Sequence, residues 1–371
     1  MIRLFQPTLG VDELAAIAEV FADQWPGPGL RVKAFTQAFA EYLGADSHEM
    51  IAMTSCTEGL FQAVAALDLG PTDEVILPTV SFIGAAHAVR SAGARLRLVD
   101  VDASTLNPTS ETIGAAITAR TRAILVLHFG GRMESIEEIA ALARERGVVL
   151  IEDSACALGG RLNGLPYGRF GDIGIWSFDS MKLLVTGDGG MIRVGDDALR
   201  QKIFDRVHLG GARPGREAAA SSQRWWEIEP ADWGRLAFMN DLDAAIGLTQ
   251  LRRVETFIHQ RRCTAHAYDE ALAEISWIRL PPVPAEGSVP YFYWIQTAPV
   301  VRDMLAAHLL ERGIYTSFRY WPLHRTKLYA DGGDYRGADY ASSTTLLLPV
   351  HQNLSSSDVS HIVDSVRSFR P

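Results

Sequence analysis

The chain has 371 residues, of which 47% are hydrophobic and 21% charged, and its net charge is -9 at neutral pH. This composition is ordinary for a globular protein, and the length predicts one large domain and one smaller one. The acidic balance argues against nucleic acid or an anionic membrane surface as the main partner.

The sequence also contains no transmembrane-length apolar run and no signal-peptide pattern at its start. Its three cysteines, Cys56, Cys156 and Cys263, are odd in number and lack metal-type spacing. Free thiols suit a reducing compartment, so we expect a cytoplasmic protein without a membrane anchor and without a metal site.

The predicted secondary structure changes character near residue 50. Two predicted helices, at 11–23 and 32–43, flank a Pro-Gly break. From about residue 50 to residue 194, short apolar runs rich in β-branched residues alternate with amphipathic helices such as 135–146, which ends at a glycine. This alternation predicts an α/β fold with a mostly parallel central sheet flanked by helices. The predicted strands are 50–53, 74–77, 96–100, 123–127, 148–152, 173–178 and 191–194.

The second half of the chain has a different pattern. Residues 212–235 have loop composition, and we expect a long mobile or substrate-facing loop there. A long helix is predicted from Asp241 through Ile258 and as far as Tyr268. From about residue 276 the pattern predicts a small α+β unit, with strands at 292–298 and 315–320 and helices at 302–311 and from Ser356. We therefore expect a large domain over 1–250, with an N-terminal segment at 1–45, and a small C-terminal α+β domain over 251–371.

Lys182 is the most informative single residue. The chain has only four lysines, and this one lies between a Ser-Phe strand end and a glycine cluster, with apolar neighbours on both sides. Burial disfavours the ammonium form, so we expect a lowered pKa and an amine that can form a Schiff base with a carbonyl compound. The alternative is a solvated surface charge, which is what most lysines are.

Asp153 lies at the end of the predicted strand 148–152, where parallel sheets bind ligands. Pyridoxal 5'-phosphate (PLP) requires a carboxylate beside its pyridinium nitrogen so that the ring acts as an electron sink. Asp153 and Lys182 each follow a predicted strand, so both can reach one ring. The alternative for Asp153 is a cap on the next helix.

Three further residues fit the same cofactor. Thr57 opens a predicted helix at 58–66, where backbone N–H groups and a hydroxyl bind phosphate; the alternative is a plain N-cap. Ser177, at the end of the strand before Lys182, is a second hydroxyl. Phe82 follows another strand and can stack on the pyridine ring, although an aromatic residue there is more often part of the core.

The order and spacing of several segments together resemble the DegT/StrS-type aminotransferases, which have the aspartate aminotransferase fold (fold type I). The resemblance covers roughly residues 5 to 365. The segments that carry it lie at 25–29, 54–57, 71–78, 126–130, 152–155, 177–182, 186–190, 241–248 and 320–324.

The resemblance implies a PLP-dependent transaminase, with pyridoxamine phosphate as the intermediate cofactor form. Such enzymes move an amino group from glutamate or glutamine to a keto sugar, usually nucleotide-linked, or to a cyclitol, in a biosynthetic pathway. They act as homodimers with active sites shared across the interface. On this resemblance, Lys182 would hold PLP and move the proton, Asp153 would pair with the ring nitrogen, Phe82 would stack, and Thr57 and Ser177 would bind the phosphate.

The chain departs from the family pattern around the cofactor. Cys156 and Leu158 replace a glutamine and a histidine, so Cys156 is expected beside the ring with only a weak hydrogen-bonding group. Cys56 replaces the first glycine of a Ser-Gly-Thr turn and is expected at the phosphate end. Leu236 and Phe238 replace an asparagine and an arginine that often reach the phosphate in the partner subunit.

Five residues are predicted to bind substrate. Arg319 has a planar guanidinium suited to a donor carboxylate or a substrate phosphate, and Arg235 is placed to compensate for the missing arginine. Tyr320 and His324 follow Arg319, and Trp226 can form part of a wall that stacks on a sugar or base. The alternatives are a surface arginine, a structural histidine and a tryptophan that packs its loop down.

Two rival functions remain open. One is another PLP-dependent reaction on the same scaffold, such as elimination, decarboxylation or condensation. The other is a non-catalytic homologue that serves as a partner subunit, which the retained Lys182 and Asp153 count against. The intact lysine also argues against the dehydratase branch of the family, where histidine replaces it. A nicotinamide-dependent dehydrogenase is disfavoured because no Gly-x-Gly-x-x-Gly follows the first strand.

Overall fold

The computed structural model describes residues 1–211, 226 and 229–371. Two N-terminal helices, α1 (Val11–Ala22) and α2 (Leu30–Leu43), precede an alternating run of strands and helices. The helices of this run are α3 (Cys56–Ala65), α4 (Ile83–Ser91), α5 (Ser110–Ala116), α6 (Ile136–Arg146) and α7 (Asp197–Val207). The strands are β1 (Met50–Met53), β2 (Glu74–Pro78), β3 (Arg95–Val99), β4 (Thr121–Leu127), β5 (Val149–Asp153), β6 (Arg161–Leu162), β7 (Leu165–Pro166), β8 (Ile173–Ser177) and β9 (Gly190–Val194).

Seven of these strands form the central sheet, in the order β1-β9-β8-β5-β4-β2-β3. Strands β8, β5, β4, β2 and β3 run parallel to one another, whereas β9 pairs antiparallel with both β1 and β8. Strands β6 and β7 form a separate two-stranded hairpin. Strand β1 therefore has the same direction as the five parallel strands, and the carboxyl ends of all six meet at one edge, which is where α/β sheets bind ligands.

Apolar side chains cover both faces of the sheet. All residues of β1, β2 and β8 are buried, as expected for strands between two layers of helices. Helix α6 turns Ile136, Ile139, Ala140 and Ala143 inward and ends at Gly147, which has the left-handed conformation typical of a helix C-terminus. The predicted α/β class with a mostly parallel sheet is therefore confirmed.

The C-terminal part contains α8 (Asp241–Leu251), α9 (Val254–Leu272), β10 (Tyr293–Gln296), α10 (Pro299–Glu311), α11 (Arg336–Thr344), β11 (Thr345–Leu348) and α12 (Ser356–Ser368). Strands β10 and β11 pair antiparallel and share an apolar cluster with α9, α10 and α12. The domain boundary after residue 250 stays a prediction.

The structure differs from three sequence predictions. The helix predicted from Asp241 to Tyr268 is two helices, α8 and α9, with a break at residues 252–253. The strand predicted at 315–320 is wrong: this stretch makes one isolated bridge, Ser317 with Leu347. The partner of β10 is instead the fully buried β11, which the sequence reading missed. Helix α3 begins two residues earlier than predicted, with Ser55 as its N-cap.

The predicted long loop at 212–235 falls mostly outside the described residues. Its described part, residue 226 and residues 229–235, contains no helix or strand. Across the described ranges, none of the helices is long and apolar enough to span a bilayer.

Candidate active site

A cavity of about 240 Å³ lies at the carboxyl edge of the sheet, between this edge and the C-terminal part of the chain. It brings together eight of the residues singled out in the sequence: Cys56, Thr57, Phe82, Asp153, Ser177, Lys182, Arg319 and Tyr320. Its other lining residues are Ser55, Ala155, Asp179, Met181, Asp188 and Tyr291.

Lys182 lies in the connection between β8 and β9. Its backbone N–H donates to the carbonyl of Asp179 at 2.8 Å, and the Thr186 N–H donates to the carbonyl of Phe178 at 2.9 Å. The next three side chains, 183–185, are buried and anchor the connection in the core. Lys182 Nζ therefore points into the cavity, 5.0 Å from the centre of the Tyr291 ring.

The pKa of Lys182 differs from the sequence expectation. Burial lowers the pKa of this ammonium, as predicted, but the phenols of Tyr291 and Tyr320 and the thiols of Cys156 and Cys56 act in the opposite direction. Negative charge on any of these groups favours the ammonium, and together they raise the pKa well above its ordinary value. The expectation of a lowered pKa was wrong because it considered burial without the neighbouring acids.

Asp153 is the last residue of β5 and only 1% exposed. Its Oδ1 accepts a hydrogen bond from the Ala155 N–H at 3.1 Å, and the Cys56 thiol lies 3.9 Å from the same oxygen. Its Oδ2 accepts no hydrogen bond from the described part of the chain. Burial raises the pKa of Asp153, against the opposing effects of the Ala155 hydrogen bond and the charges of Lys182 and His128. The site thus holds a costly buried carboxylate with one free oxygen.

The start of α3 borders the cavity beside β9. The Ser55 hydroxyl accepts from the Glu58 N–H at 3.0 Å, which leaves the N–H groups of Cys56 and Thr57 at the mouth of the helix without a helical partner. Strand β9 passes so close that a Cβ on Gly190 would lie 2.5 Å from the Cys56 nitrogen. Ser177, at the end of β8, adds a hydroxyl that is almost fully buried. Helix-start amides with nearby hydroxyls form a typical anion site.

Aromatic rings and a thiol lie beside this anion site. Phe82 packs edge-on against Tyr320, with 5.9 Å between ring centres. The Tyr320 hydroxyl lies 3.8 Å from the Cys156 sulfur. Cys156 does not line the cavity of about 240 Å³. It borders an adjoining void of about 10 Å³, together with Leu158 and Arg261. Burial raises the pKa of both Cys56 and Cys156, so each thiol is protonated at neutral pH.

Arg319 lines the cavity from the C-terminal part. Its guanidinium lies 5.1 Å from the centre of the Phe5 ring and makes no hydrogen bond or ion pair with any described residue. An arginine without an anionic partner at the edge of a cavity is available to a carboxylate or phosphate ligand.

Three predicted substrate-binding residues do not line this cavity. His324 is held by Thr79 through Nδ1 at 2.7 Å and by Asp339 through Nε2 at 3.1 Å, and its ring stacks on Tyr335. Both ring nitrogens are therefore occupied within the protein.

Arg235 pairs with Glu58 on the surface at 3.0 Å, and Trp226 is exposed. Of the two departures near Arg235, Leu236 is exposed and Phe238 stacks on His208 with 4.9 Å between ring centres. Neither side chain is among the residues lining the cavity.

The sequence reading missed Tyr291 and Arg261, which surround Lys182 on the side of the C-terminal part. Tyr291 lies in an aromatic run, 291–294, that is indistinguishable from core by composition. Arg261 lies inside the long helix α9 among other charged residues. No local pattern identifies either residue, because their positions depend on how distant parts of the chain pack together.

The arrangement fits PLP. The free oxygen of Asp153 suits the ring nitrogen, the start of α3 suits the phosphate, and Lys182 suits the aldehyde carbon. Strand β9 can approach the start of α3 this closely only because residue 190 has no side chain.

Comparisons with known proteins agree with this geometry. A family model for the DegT/DnrJ/EryC1/StrS aminotransferase family matches residues 7–367. The chain is 46% identical, over 98% of its length and 95% of the relative's, to dTDP-4-dehydro-2,3,6-trideoxy-D-glucose 4-aminotransferase from Saccharopolyspora spinosa. It is 32% identical, over 98% and 95%, to the spore coat polysaccharide biosynthesis protein SpsC of Bacillus subtilis (strain 168).

Solved structures show the same fold. The aminotransferase TlmJ from Streptoalloteichus hindustanus superimposes with a TM-score of 0.94 at 46% identity, covering 99% of this chain and 98% of that one. The sugar aminotransferase CalS13 from Micromonospora echinospora gives a TM-score of 0.90 at 26% identity, covering 99% and 100%. The prediction of an enzyme, a PLP-dependent transaminase of fold type I, is therefore confirmed. The chain belongs to the DegT/DnrJ/EryC1/StrS aminotransferase family.

Proposed function

We propose that this enzyme uses PLP to move an amino group from glutamate or glutamine to the keto carbon of a nucleotide-linked keto sugar, and that it does so as a homodimer. The observation that supports this proposal is that Lys182 and Asp153 face one cavity, with helix-start amides at one side. At another side lies Arg319, which pairs with no residue in the described part of the chain. These groups match the aldehyde, ring nitrogen, phosphate and substrate anion of a transaminase.

The class of acceptor follows from the relatives. The Saccharopolyspora spinosa relative is named for a dTDP-linked 4-keto deoxysugar, and the similarity extends over almost all of both chains. Because its name specifies the carbon, a 4-keto group on a nucleotide-linked deoxyhexose is the acceptor we propose to test first. A cyclitol is the second acceptor class, and no feature of the cavity favours it.

Each residue of the site has a distinct proposed role. Bound PLP supplies an aldehyde that exchanges amines and a ring that withdraws electrons from the carbon that loses its proton. Lys182 holds the cofactor and, once released, moves the proton between the two reacting carbons. Asp153 keeps the ring nitrogen protonated, and Phe82 packs against the ring.

The remaining proposed roles concern anions. Ser177 and the start of α3, with Thr57, hold the phosphate through hydroxyl and N–H donors. Arg319 orients the carboxylate of the amino donor through its planar fork of donors. His324, already hydrogen bonded at both ring nitrogens, is proposed to support the side of the cavity formed by Arg319 and Tyr320 rather than to touch substrate.

The test begins with the absorbance spectrum of purified protein mixed with PLP. We expect a visible band that Lys182→Ala abolishes and that Lys202→Ala leaves unchanged, since Lys202 is a surface lysine paired with Asp68. Glutamate or glutamine should convert this band to the shorter-wavelength pyridoxamine form. Adding a nucleotide-linked 4-keto sugar should then restore the band and yield an amino sugar detectable by mass spectrometry.

The same experiment separates the rival functions. A PLP band that no amino donor changes would contradict aminotransfer and favour elimination, decarboxylation or condensation. If an amino donor converts the visible band but no keto sugar restores it, the first half-reaction is supported and the proposed acceptor is refuted. A protein that binds no PLP would favour the non-catalytic partner subunit.

A further inference from the structure

The lysine connection is held from the C-terminal part at the residues on both sides of Lys182. The Tyr291 hydroxyl donates to the carbonyl of Met181 at 3.2 Å, and the Gln352 amide donates to the carbonyl of Leu183 at 3.4 Å. The two side chains come from segments 61 residues apart in sequence, and both contact the backbone next to the same lysine. Lys182 is thus fixed by the C-terminal part as well as by its own strands.

Arg261 joins the two supports. It is 1% exposed, its Nε donates to the Gln352 side-chain oxygen at 3.0 Å, and its Nη1 lies 3.4 Å from the carbonyl oxygens of Pro290 and Tyr291. It forms no ion pair with a carboxylate in the described part of the chain. Burial lowers the pKa of Arg261 to about 10, against the effects of Tyr291 and Cys156. A fully buried cation without an anion is costly, so its position calls for an explanation.

The Tyr291 ring explains why Arg261 is tolerated in this buried position. The guanidinium carbon of Arg261 lies 5.7 Å from the ring centre and Lys182 Nζ lies 5.0 Å from it, both within the range of cation–π attraction. The ring is itself fixed by stacking on Phe5, with 5.8 Å between centres, and by the N–H of Tyr291, which donates to the carbonyl of Gly130 at 3.0 Å. A rigid aromatic group therefore lies within reach of two cations.

We propose that Tyr291 is a positioning residue that holds the free amine of Lys182 over the cavity as an ammonium. Arg261 and Gln352 in turn fix the positions of Tyr291 and of the connection that carries Lys182. The inference rests on the proposed function for its purpose: a lysine released from the cofactor must stay close to the carbon that it protonates. The Tyr291 ring face attracts the ammonium, and its hydroxyl fixes the adjoining backbone.

Other ionisable groups also face Lys182, and their effects on its pKa must be distinguished from the effect of Tyr291. They are Asp153 at the end of β5, Cys56 at the start of α3, Cys156 after β5, and Tyr320 in the C-terminal part. Tyr291→Phe removes only the hydroxyl and retains the ring, the other four groups and the packing. Any change in Lys182 in this variant therefore reports on the Tyr291 hydroxyl.

The test uses the full chain freed of cofactor. Lys182 lines the cavity, so formaldehyde with a mild hydride donor can methylate its neutral amine, and peptide mass spectrometry gives the extent of labelling at each pH. We expect Tyr291→Phe to lower the pH at half-maximal labelling by about one unit, because the ammonium loses a polar group that favours it. Tyr293→Phe is the matched control: Tyr293 is also buried, but its hydroxyl donates to Asp269 at 2.8 Å. Its labelling midpoint should equal that of the wild type.

An unchanged midpoint in folded Tyr291→Phe, or an equal fall in Tyr293→Phe, would overturn the proposal. Tyr291→Met, which has no ring, serves if the phenylalanine variant does not fold, and a larger fall is expected because the ring is lost together with the hydroxyl. In PLP-loaded enzyme, Tyr291→Phe should lower kcat about tenfold with little change in the KM of the keto sugar, since substrate contacts are retained. The labelling result needs no cofactor or substrate, so failure of transamination and failure of this inference are distinguishable.

Discussion

His351 makes the stability of this protein depend on pH in a calculable way. It is 3% exposed, its Nδ1 accepts from the Asn353 N–H at 3.3 Å, and its Nε2 lies 3.1 Å from the carbonyl oxygen of Arg3. Since Nδ1 is occupied as an acceptor, Nε2 carries the hydrogen and donates it to Arg3. A second proton at Nδ1 would face the Asn353 N–H in a buried site, and it would remove the hydrogen bond that this N–H donates to the ring.

The pKa of His351 gives the magnitude. Burial and the charge of Arg261 lower it from 6.5 to about 4, against the opposing effects of the Arg3 hydrogen bond and Asp358. Between these values the unfolded chain binds more protons than the folded one, so stability is fully present above about pH 6.5 and is lost as the pH falls towards 4. At about 1.4 kcal/mol per pKa unit, the loss from this group is roughly 2 kcal/mol between pH 7.5 and pH 5, and approaches about 3 kcal/mol at pH 4.

The assay is urea denaturation of cofactor-free wild type and His351→Gln at several pH values. Glutamine has no titratable proton, so the variant should lose roughly 2 kcal/mol less than the wild type between about pH 7.5 and 5. With about 2.1 cal/mol/K of unfolding entropy per residue, this corresponds to a difference of about 2 to 3 °C in melting temperature. His361→Gln is the control, because His361 also contacts a backbone carbonyl, that of Arg312 at 3.0 Å, but is exposed. Parallel pH dependences for wild type and His351→Gln would refute the reasoning.

Two further predictions concern the cofactor site. Because the pKa of Asp153 is raised, the cofactor-free protein loses stability as the pH rises from about 3.8 through that raised value. Asp153→Asn should therefore increase the melting temperature of the cofactor-free protein at neutral pH. The same substitution should weaken PLP binding. Melting curves with and without PLP test this, and a lower melting temperature without cofactor would contradict it. Gly190→Ala should weaken PLP binding roughly tenfold, because its Cβ would lie 2.5 Å from the Cys56 nitrogen and displace the start of α3. Gly10→Ala, with no atom within 4 Å of the added Cβ, should bind PLP like the wild type; equal affinities for all three proteins would contradict the prediction.

The sequence predicted those features that depend on local patterns. Strands β2, β4, β5 and β8 were found within two residues at each end because short apolar runs rich in β-branched residues are typical of buried parallel strands. The placement of Asp153 at the end of one strand and of Lys182 in the connection after another followed from the same runs. The order of the strands was not predictable, since the insertion of β9 between β1 and β8 depends on pairing between segments about 140 residues apart.

The burial of Lys182 was predictable from the sequence, but the direction of its pKa shift was not, because that also depends on distant segments. Burial was evident from its apolar neighbours, but the phenols and thiols that reverse the sign of the pKa shift come from four other segments. His324 illustrates the opposite error: its proximity in sequence to Arg319 suggested substrate contact, whereas Thr79 and Asp339 occupy both of its nitrogens. Proximity along the chain predicts a shared neighbourhood, but not the direction in which a side chain points.

The position of β9 also has a consequence for synthesis of the protein on the ribosome. Residues 50–53 cannot complete their place in the sheet until residues 190–194 have been made, because β9 is the partner of β1. The cavity needs residues up to 320, since Tyr291, Arg319 and Tyr320 form one of its sides. Nascent chains shorter than this length therefore expose Lys182 on an open surface, and the cofactor pocket is completed only after Tyr320 has been made.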